Sequence, residues 1–297
     1  MIDQTLAAVV ALVRADPRPG SRIAEELETG TAPTALLERA LSGSTDEGGQ
    51  QSLLATPADP DHAVAQAGAD LAVWRADGIA VSCVLDPDYP PNLRAVHDRP
   101  PLLFTLGDCP PGDRVVAVIG SRRASDAGRE RARAVAGHLV DQDFAVASGL
   151  AAGIDRAAHT AALDRGGHTI AVIGTGVRHS YPPENIELQR AIAAHGAVIS
   201  PFWPDARASR QTFPVRNGVM SGLSLASVIV EAGVTSGARI QARLALAHGR
   251  LVFLADELLT QAWARSLAAR PAVHVYREPS EITDVVVRQF EPGPLIP

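Results

Sequence analysis

Residues 115–123 read VVAVIGSRR, and this stretch constrains the fold more than any other. Five apolar residues run without alternation from Val115 to Ile119 and stop at Gly120. A continuous, largely β-branched run is the pattern of a strand covered on both faces, as in a parallel sheet. Gly120 lets the backbone turn tightly, and Ser125 is placed to cap a following helix. Ala132, Val135, Ala136, Leu139 and Val140 give that helix one apolar face. Strand, glycine turn and helix N-terminus together make an anion site, because unpaired amides and the helix dipole point outward there. Arg122 and Arg123 add planar donor forks that match phosphate oxygens.

The pattern repeats downstream. Apolar runs at 115–119, 144–148, 168–173, 197–200, 226–231, 250–255 and 273–276 alternate with helical patterns at 155–165, 185–195, 236–248, 260–269 and 280–289. That alternation predicts an α/β fold with a doubly wound, mostly parallel sheet and right-handed crossovers. Residues 1–41 carry helical spacings of apolar residues, 42–50 (SGSTDEGGQ) reads as a loop, and 63–75 reads as a helix closed by Gly78. The sequence therefore divides into a small helical N-terminal domain over 1–78 and a larger domain over 79–297. Within the latter, 79–85 is a strand candidate. The proline-rich segment to residue 112 is too apolar for a free linker and reads as a lead-in packed on the core. No further domain is expected after the last helix.

Composition narrows the chemistry. No apolar run reaches the ~18–20 residues of a membrane span and no leader opens the chain, so no membrane partner is expected. Cys83 and Cys109 are the only cysteines and show no metal-ligand or disulfide spacing, which fits a reducing cytoplasm. All 27 cationic side chains are arginine. Without lysine there is no Walker P-loop and no Schiff-base chemistry. The net charge is −6, but residues 1–77 hold 12 acids against 5 arginines, leaving the remainder close to neutral. Residues 114–133 carry 6 arginines and 2 acids, so a basic face is available to a polyanion.

Four predicted strands end in glycine turns at what would be one edge of the sheet. They are Gly120-Ser121-Arg122, the run SGLAAGID with Ser148, Gly149 and Gly153, the pair Gly174 and Gly176, and a turn after Glu231 leading to Ser236 and Gly237. Ligands of open α/β sheets bind at that edge. Any one glycine read by itself is equally well a strand-to-helix turn. Nicotinamide binding fits poorly, since the second and third glycines are missing and strand two ends in Ser148 rather than an acid. No nucleophile elbow is present, and no catalytic constellation emerges. Asp155 and His159 share a helix face, yet the plainer reading is a helix cap and a locally bonded histidine. The segment 201–215 reads as a loop with Phe202, Trp203, Phe213, Arg207 and Arg210, and Arg216 follows it. In a chain with 4% aromatics, that clustering suits stacking of single-stranded nucleic acid, although an aromatic that plugs the sheet edge is an equal alternative for each residue.

The ordered motifs resemble one family. VVAVIGSRRAS, SGLAAGIDRAAHTAALDRGGHTIAVIGTGVRHSYPPENIEL and FPVRNGVMSGLSLASVIVEAGVTSGARIQARLALAHGR are similar to the core of the DprA/Smf DNA-processing family, with the likeness covering about residues 79–255. The resemblance implies an extended Rossmann-like domain that binds single-stranded DNA as a homodimer in the cytoplasm. It also implies that the protein helps load the recombinase RecA during transformation, without known catalysis; no cofactor or metal is expected. Carried over by position, Gly120, Ser121 and Arg122 match a phosphate-holding turn, and Phe213, Arg216 and Asn217 match a segment beside the DNA groove. Arg123, Ser148, Gly149, Gly153, Gly174, Gly176, Ser236, Gly237 and Arg239 complete the expected DNA-binding set. The sequence departs from the family pattern at Gly218, where an arginine is usual, and at 236–242 (SGARIQA), which loses two hydroxyls and gains Arg239. It departs again at 255–260 (ADELLT), which is acidic and helix-like, and the winged-helix tail that many members carry is not expected here. Two other readings stay open: a nucleotide enzyme or sensor akin to the LOG phosphoribohydrolases, with Glu231 in a similar position, or a family member specialised for defence.

Overall fold

The structure, a computed structural model, describes residues 4–43, 59–109, 114–234 and 236–290. Most of the 42–50 loop expected from sequence lies outside the described residues. The chain forms two compact units, one made of residues 1–89 with 97–104 and the other of 90–96 with 105–297.

The first unit contains helices α1 (Gln4–Ala15), α2 (Gly20–Glu28), α3 (Pro33–Gly43) and α4 (Pro60–Ala76), followed by strand β1 (Ile79–Cys83). Val9, Val10 and Leu12 of α1 are fully buried, with Leu37 of α3 and Ala67 of α4. Trp74 stands edge-on to Phe104 at 5.4 Å between ring centroids. Asp59 caps α4 by accepting from the Asp61 amide at 3.0 Å.

After the short α5 (Pro91–Arg94) come β2 (Leu102–Gly107), β3 (Val115–Gly120), α6 (Asp126–Asp141), β4 (Ala145–Ser148), α7 (Ile154–Asp164) and β5 (Thr169–Val172). Then follow α8 (Ile186–His195), β6 (Ala197–Ser200), α9 (Thr212–Leu223), β7 (Ala226–Glu231) and α10 (Ala238–Ala247). The last elements are β8 (Leu251–Ala255), α11 (Ala262–Ala268), β9 (Val273–Tyr276) and α12 (Pro279–Phe290). Within the second unit the strands are hydrogen-bonded in the order β6-β5-β4-β3-β7-β8-β9. The seven from β6 to β9 are parallel. All seven strands expected from the apolar runs are present.

Two elements depart from the sequence reading. Strand β2 lies within the segment taken as turn-rich, because prolines on its N-terminal side hid a six-residue run. Helix α9 begins at Thr212 and takes in the end of the expected 201–215 loop, so Phe213 is helical, as are Arg216 and Asn217. Pro214 did not signal a helix, yet a proline in the first turn removes only an amide that has no helical partner.

The topology places one crevice. From β3 the chain winds outward through β4, β5 and β6, then returns to lay β7 on the other side of β3. The carboxyl ends of β3 and β7 are thus the point where the strand order reverses, the usual ligand crevice of a doubly wound sheet. Register between these strands shifts at Ile119/Gly120, where Gly120 pairs with Glu231. The irregularity ends the ladder and turns the chain up into the crevice.

Candidate functional site

Above the ends of β3 and β7 lies a pocket of about 380 Å³. Its walls are the β3–α6 turn (Gly120 to Arg123), the β4–α7 turn at Ala151 with Asp155 in the first turn of α7, one face of α9, and the β7–α10 turn with Ser236 and Gly237. Phe213, Arg216, Asn217 and Met220 all line it. These positions are spaced i, i+3, i+4 and i+7, so a single face of α9 forms the wall.

The β3–α6 turn is firmly held. The Ser121 amide donates to the Glu231 carbonyl at 2.7 Å, and the Ser121 hydroxyl accepts from the Arg123 amide at 3.2 Å. Ser125 caps α6 by accepting from the Gly128 amide at 2.9 Å. Its hydroxyl also donates to the Glu231 carboxylate at 2.5 Å, and its amide donates to the same group. Glu231 is thereby tied to the helix cap. Both Arg122 and Arg123 are exposed. The Arg122 guanidinium stands 5.2 Å from the centre of the Phe213 ring, within cation–π range.

Arg216 behaves differently. It is buried, and Nη1 donates to the Val172 carbonyl at 3.0 Å, so it forms the floor of the pocket rather than its rim. Burial pushes its basicity down, against the favourable pull of the Asp155 carboxylate. Burial likewise pushes the Asp155 carboxyl up, and Arg216 opposes that shift. Each of the two groups is made tolerable by the other. Asp155 does not occupy the cap position of α7; Gly153 does, with φ of 79°. Asp155 instead sits in the first turn and accepts from the Ala151 amide at 3.3 Å. Sequence reasoning set Asp155 aside as a cap, and no local signal shows that a buried arginine 61 residues later faces it.

His159 is fully buried, and Nδ1 lies 2.7 Å from the Thr169 hydroxyl. That hydroxyl donates to the Val146 carbonyl, so the imidazole supplies the Nδ1 proton. Burial and the Arg216 charge hold its pKa down to about 3, leaving a neutral, locally bonded histidine.

Of the residues expected from sequence, Gly120, Ser121, Arg122, Arg123, Phe213, Arg216, Asn217, Ser236 and Gly237 line the pocket together. The others stand behind or beside it. Ser148 is buried and donates to the Val118 carbonyl at 2.6 Å. Gly149 leaves the space in which the Arg216 guanidinium lies, since a Cβ there would fall 1.8 Å from Nη1. Gly174 faces the Phe213 ring, and the Gly176 amide donates to the Ala206 carbonyl at 2.8 Å. Arg239 turns away from the pocket, with its guanidinium donating to the Val234 carbonyl and lying 5.2 Å from the Trp263 ring centre. Met220 and Gln241 line the pocket without having been singled out. Extending the helical spacing from Phe213 would have found Met220.

Residues 80–282 match the sequence family described as DNA recombination-mediator protein A, which is more than half of the chain. The chain belongs to this family. Among its DNA recombination-mediator protein A relatives, DprA of Bacillus subtilis is 34% identical over 185 residues, covering 62% of each protein. DprA of Streptococcus pneumoniae is 40% identical over 174 residues, which is 57% of this chain and 60% of that protein. Protein Smf of Synechocystis is 40% identical over 176 residues, 57% of this chain and 44% of the relative. The matches thus span 44 to 62% of the length of these relatives. The crystal structure of the S. pneumoniae protein superposes with a TM-score of 0.69 at 26% identity, covering 92% of this chain and 95% of that one. DNA processing protein A of Helicobacter pylori, whose structure describes a single-stranded DNA binding mode, shares the fold with a TM-score of 0.63 at 23% identity over 71% of this chain and 96% of its own. No helix among the described residues is long and apolar enough to cross a membrane.

Proposed function

We propose that this family member binds single-stranded DNA through the crevice between β3 and β7. The observation that carries the reading is the arrangement at its mouth, where the exposed Arg122 guanidinium lies against the Phe213 ring with Arg123 beside it. A backbone phosphate is the ligand suited to the exposed guanidinium forks of Arg122 and Arg123, both of which line the pocket. Phe213 offers a neighbouring face for a base, and stacking of that kind tolerates any base. Arg216 adds positive potential from below without leaving its carbonyl partner. The family assignment and the DNA-binding mode of the H. pylori relative support the same reading. On it, the protein works in the cytoplasm as a homodimer, protects single strands and assists loading of a RecA-type recombinase during DNA uptake and recombination.

Fluorescence anisotropy with a labelled single strand of about 20 nucleotides tests it. Arg122→Ala weakens binding by roughly tenfold at low salt and flattens the salt slope by about 0.7, the share of one single-strand phosphate contact. Affinity unchanged by Arg122→Ala, or insensitive to salt, overturns the reading.

A further inference from the structure

The role of Tyr181 is not explained by the fold. It is 45% exposed, the one aromatic among the exposed large hydrophobic side chains of the described residues, and it contributes little to the core. Its ring lies 5.6 Å from that of Phe213, tilted by 51°. Phe213 in turn has the Arg122 guanidinium 5.2 Å from its ring centre. Three side chains from three separate parts of the chain therefore form one continuous strip: Arg122, Phe213, Tyr181.

The segment that carries Tyr181 is anchored on both sides, after it by Asn185, whose Nδ2 donates to the Leu150 carbonyl at 2.8 Å, and before it by several bonds. The Arg178 amide donates to the Pro204 carbonyl at 3.1 Å, and the Thr175 hydroxyl donates to the His179 carbonyl at 3.1 Å. Gln189 donates to the carbonyls of Val177 and His179. Tyr181 is thus held out beside the pocket on a fixed support, which lowers the ordering cost of a stacked partner. A base sandwiched between the two rings would need about 6.8 Å, twice the roughly 3.4 Å rise per base. At 5.6 Å the rings leave no room for one, so they serve as successive faces rather than as a clamp.

We infer that Tyr181 is a second base-stacking residue, extending the DNA path from the phosphate at Arg122 over Phe213 and outward. The inference rests on the single-stranded DNA reading of the pocket and adds the direction in which the strand leaves it. It assigns Tyr181 a contact with bases and none with the phosphates.

Affinities of the full chain for a 20-nucleotide oligothymidylate and for an abasic oligonucleotide of equal length separate these contacts. Tyr181→Ala weakens oligothymidylate binding by roughly tenfold, within the range of one lost stacking contact, and leaves the abasic strand unchanged. Tyr181→Trp retains wild-type binding or improves on it. Equal affinity of Tyr181→Ala and wild type for oligothymidylate, or an equal loss on both strands, overturns the assignment. Arg122→Ala serves as the reference. Loss of binding to both strands in that variant upholds the phosphate reading whatever Tyr181 does, whereas no loss on either overturns that reading and the Tyr181 assignment with it.

Discussion

Gly149 and Arg216 form a steric lock that a double-mutant cycle can open. A Cβ at residue 149 would fall 1.8 Å from Arg216 Nη1 and 2.6 Å from Cζ. Ordinary contact begins near 3.4 Å, so in Gly149→Ala the guanidinium must retreat by about 1.6 Å. The 3.0 Å bond to the Val172 carbonyl does not survive that movement. A hydrogen bond from a charged donor contributes about 1.5–3 kcal/mol, and overpacking costs about 1–3 more. A loss on the order of 3 kcal/mol lowers Tm by roughly 6–12 °C in a unit of this size. Thermal melts of four proteins decide the matter: wild type, Gly149→Ala, Arg216→Ala and the double variant. Truncating Arg216 removes the two nearest obstacles to the new methyl, and the Asp155 carboxylate oxygen at 2.8 Å is the next to adjust. In that background Gly149→Ala should cost less than about 1 kcal/mol, a coupling of about 2 kcal/mol. The same cost in both backgrounds would refute the reasoning, because it would mean that the guanidinium does not occupy the space left by Gly149.

Other consequences are simpler to read. Ser125→Ala removes the α6 cap and one donor to Glu231, lowering stability by about 1–2 kcal/mol in urea unfolding, while Ser125→Asp restores the cap but repels Glu231 and recovers only part of the loss. His159 stays neutral in the fold with its pKa near 3, whereas an unfolded histidine gains a proton below about 6.5. Its contribution is therefore fully present above pH 6.5 and is lost as pH falls toward 3, at about 1.4 kcal/mol per pH unit, and urea titrations of His159→Asn should lack that component of the slope. Cys83 is fully buried beside Asp86, and burial pushes its thiol up to about 12, so a thiol reagent at pH 8 should modify it only as the protein unfolds.

Much of the parallel sheet was legible because its signals are local. A strand buried on both faces must be apolar throughout, and 115–119 and 226–231 announce this without reference to any partner. The same holds for the cap at Ser125, which depends on residues three apart. The ordered motifs likewise named Gly120, Ser121, Arg122, Arg123, Phe213, Arg216 and Asn217, which line the pocket, together with glycines that stand behind it. What failed locally was β2, whose apolar run is masked by flanking prolines, and the start of α9, where Pro214 reads as a breaker although the first turn accepts it.

The chemistry around Arg216 belongs to the tertiary structure. Sequence placed this arginine beside a groove, but only packing turned it inward beneath Gly149, against Asp155 and the Val172 carbonyl. Arg122, Tyr181 and Phe213 are separated by tens of residues and carry no shared periodicity, so nothing local records that they form one strip. The sequence by itself determined which segments become strands and which turns can face an anion, since hydrophobic period and turn chemistry act over a few residues. The strand order that brings β7 beside β3 decided which of those turns share a crevice, because that depends on how the sheet is wound and not on any one segment.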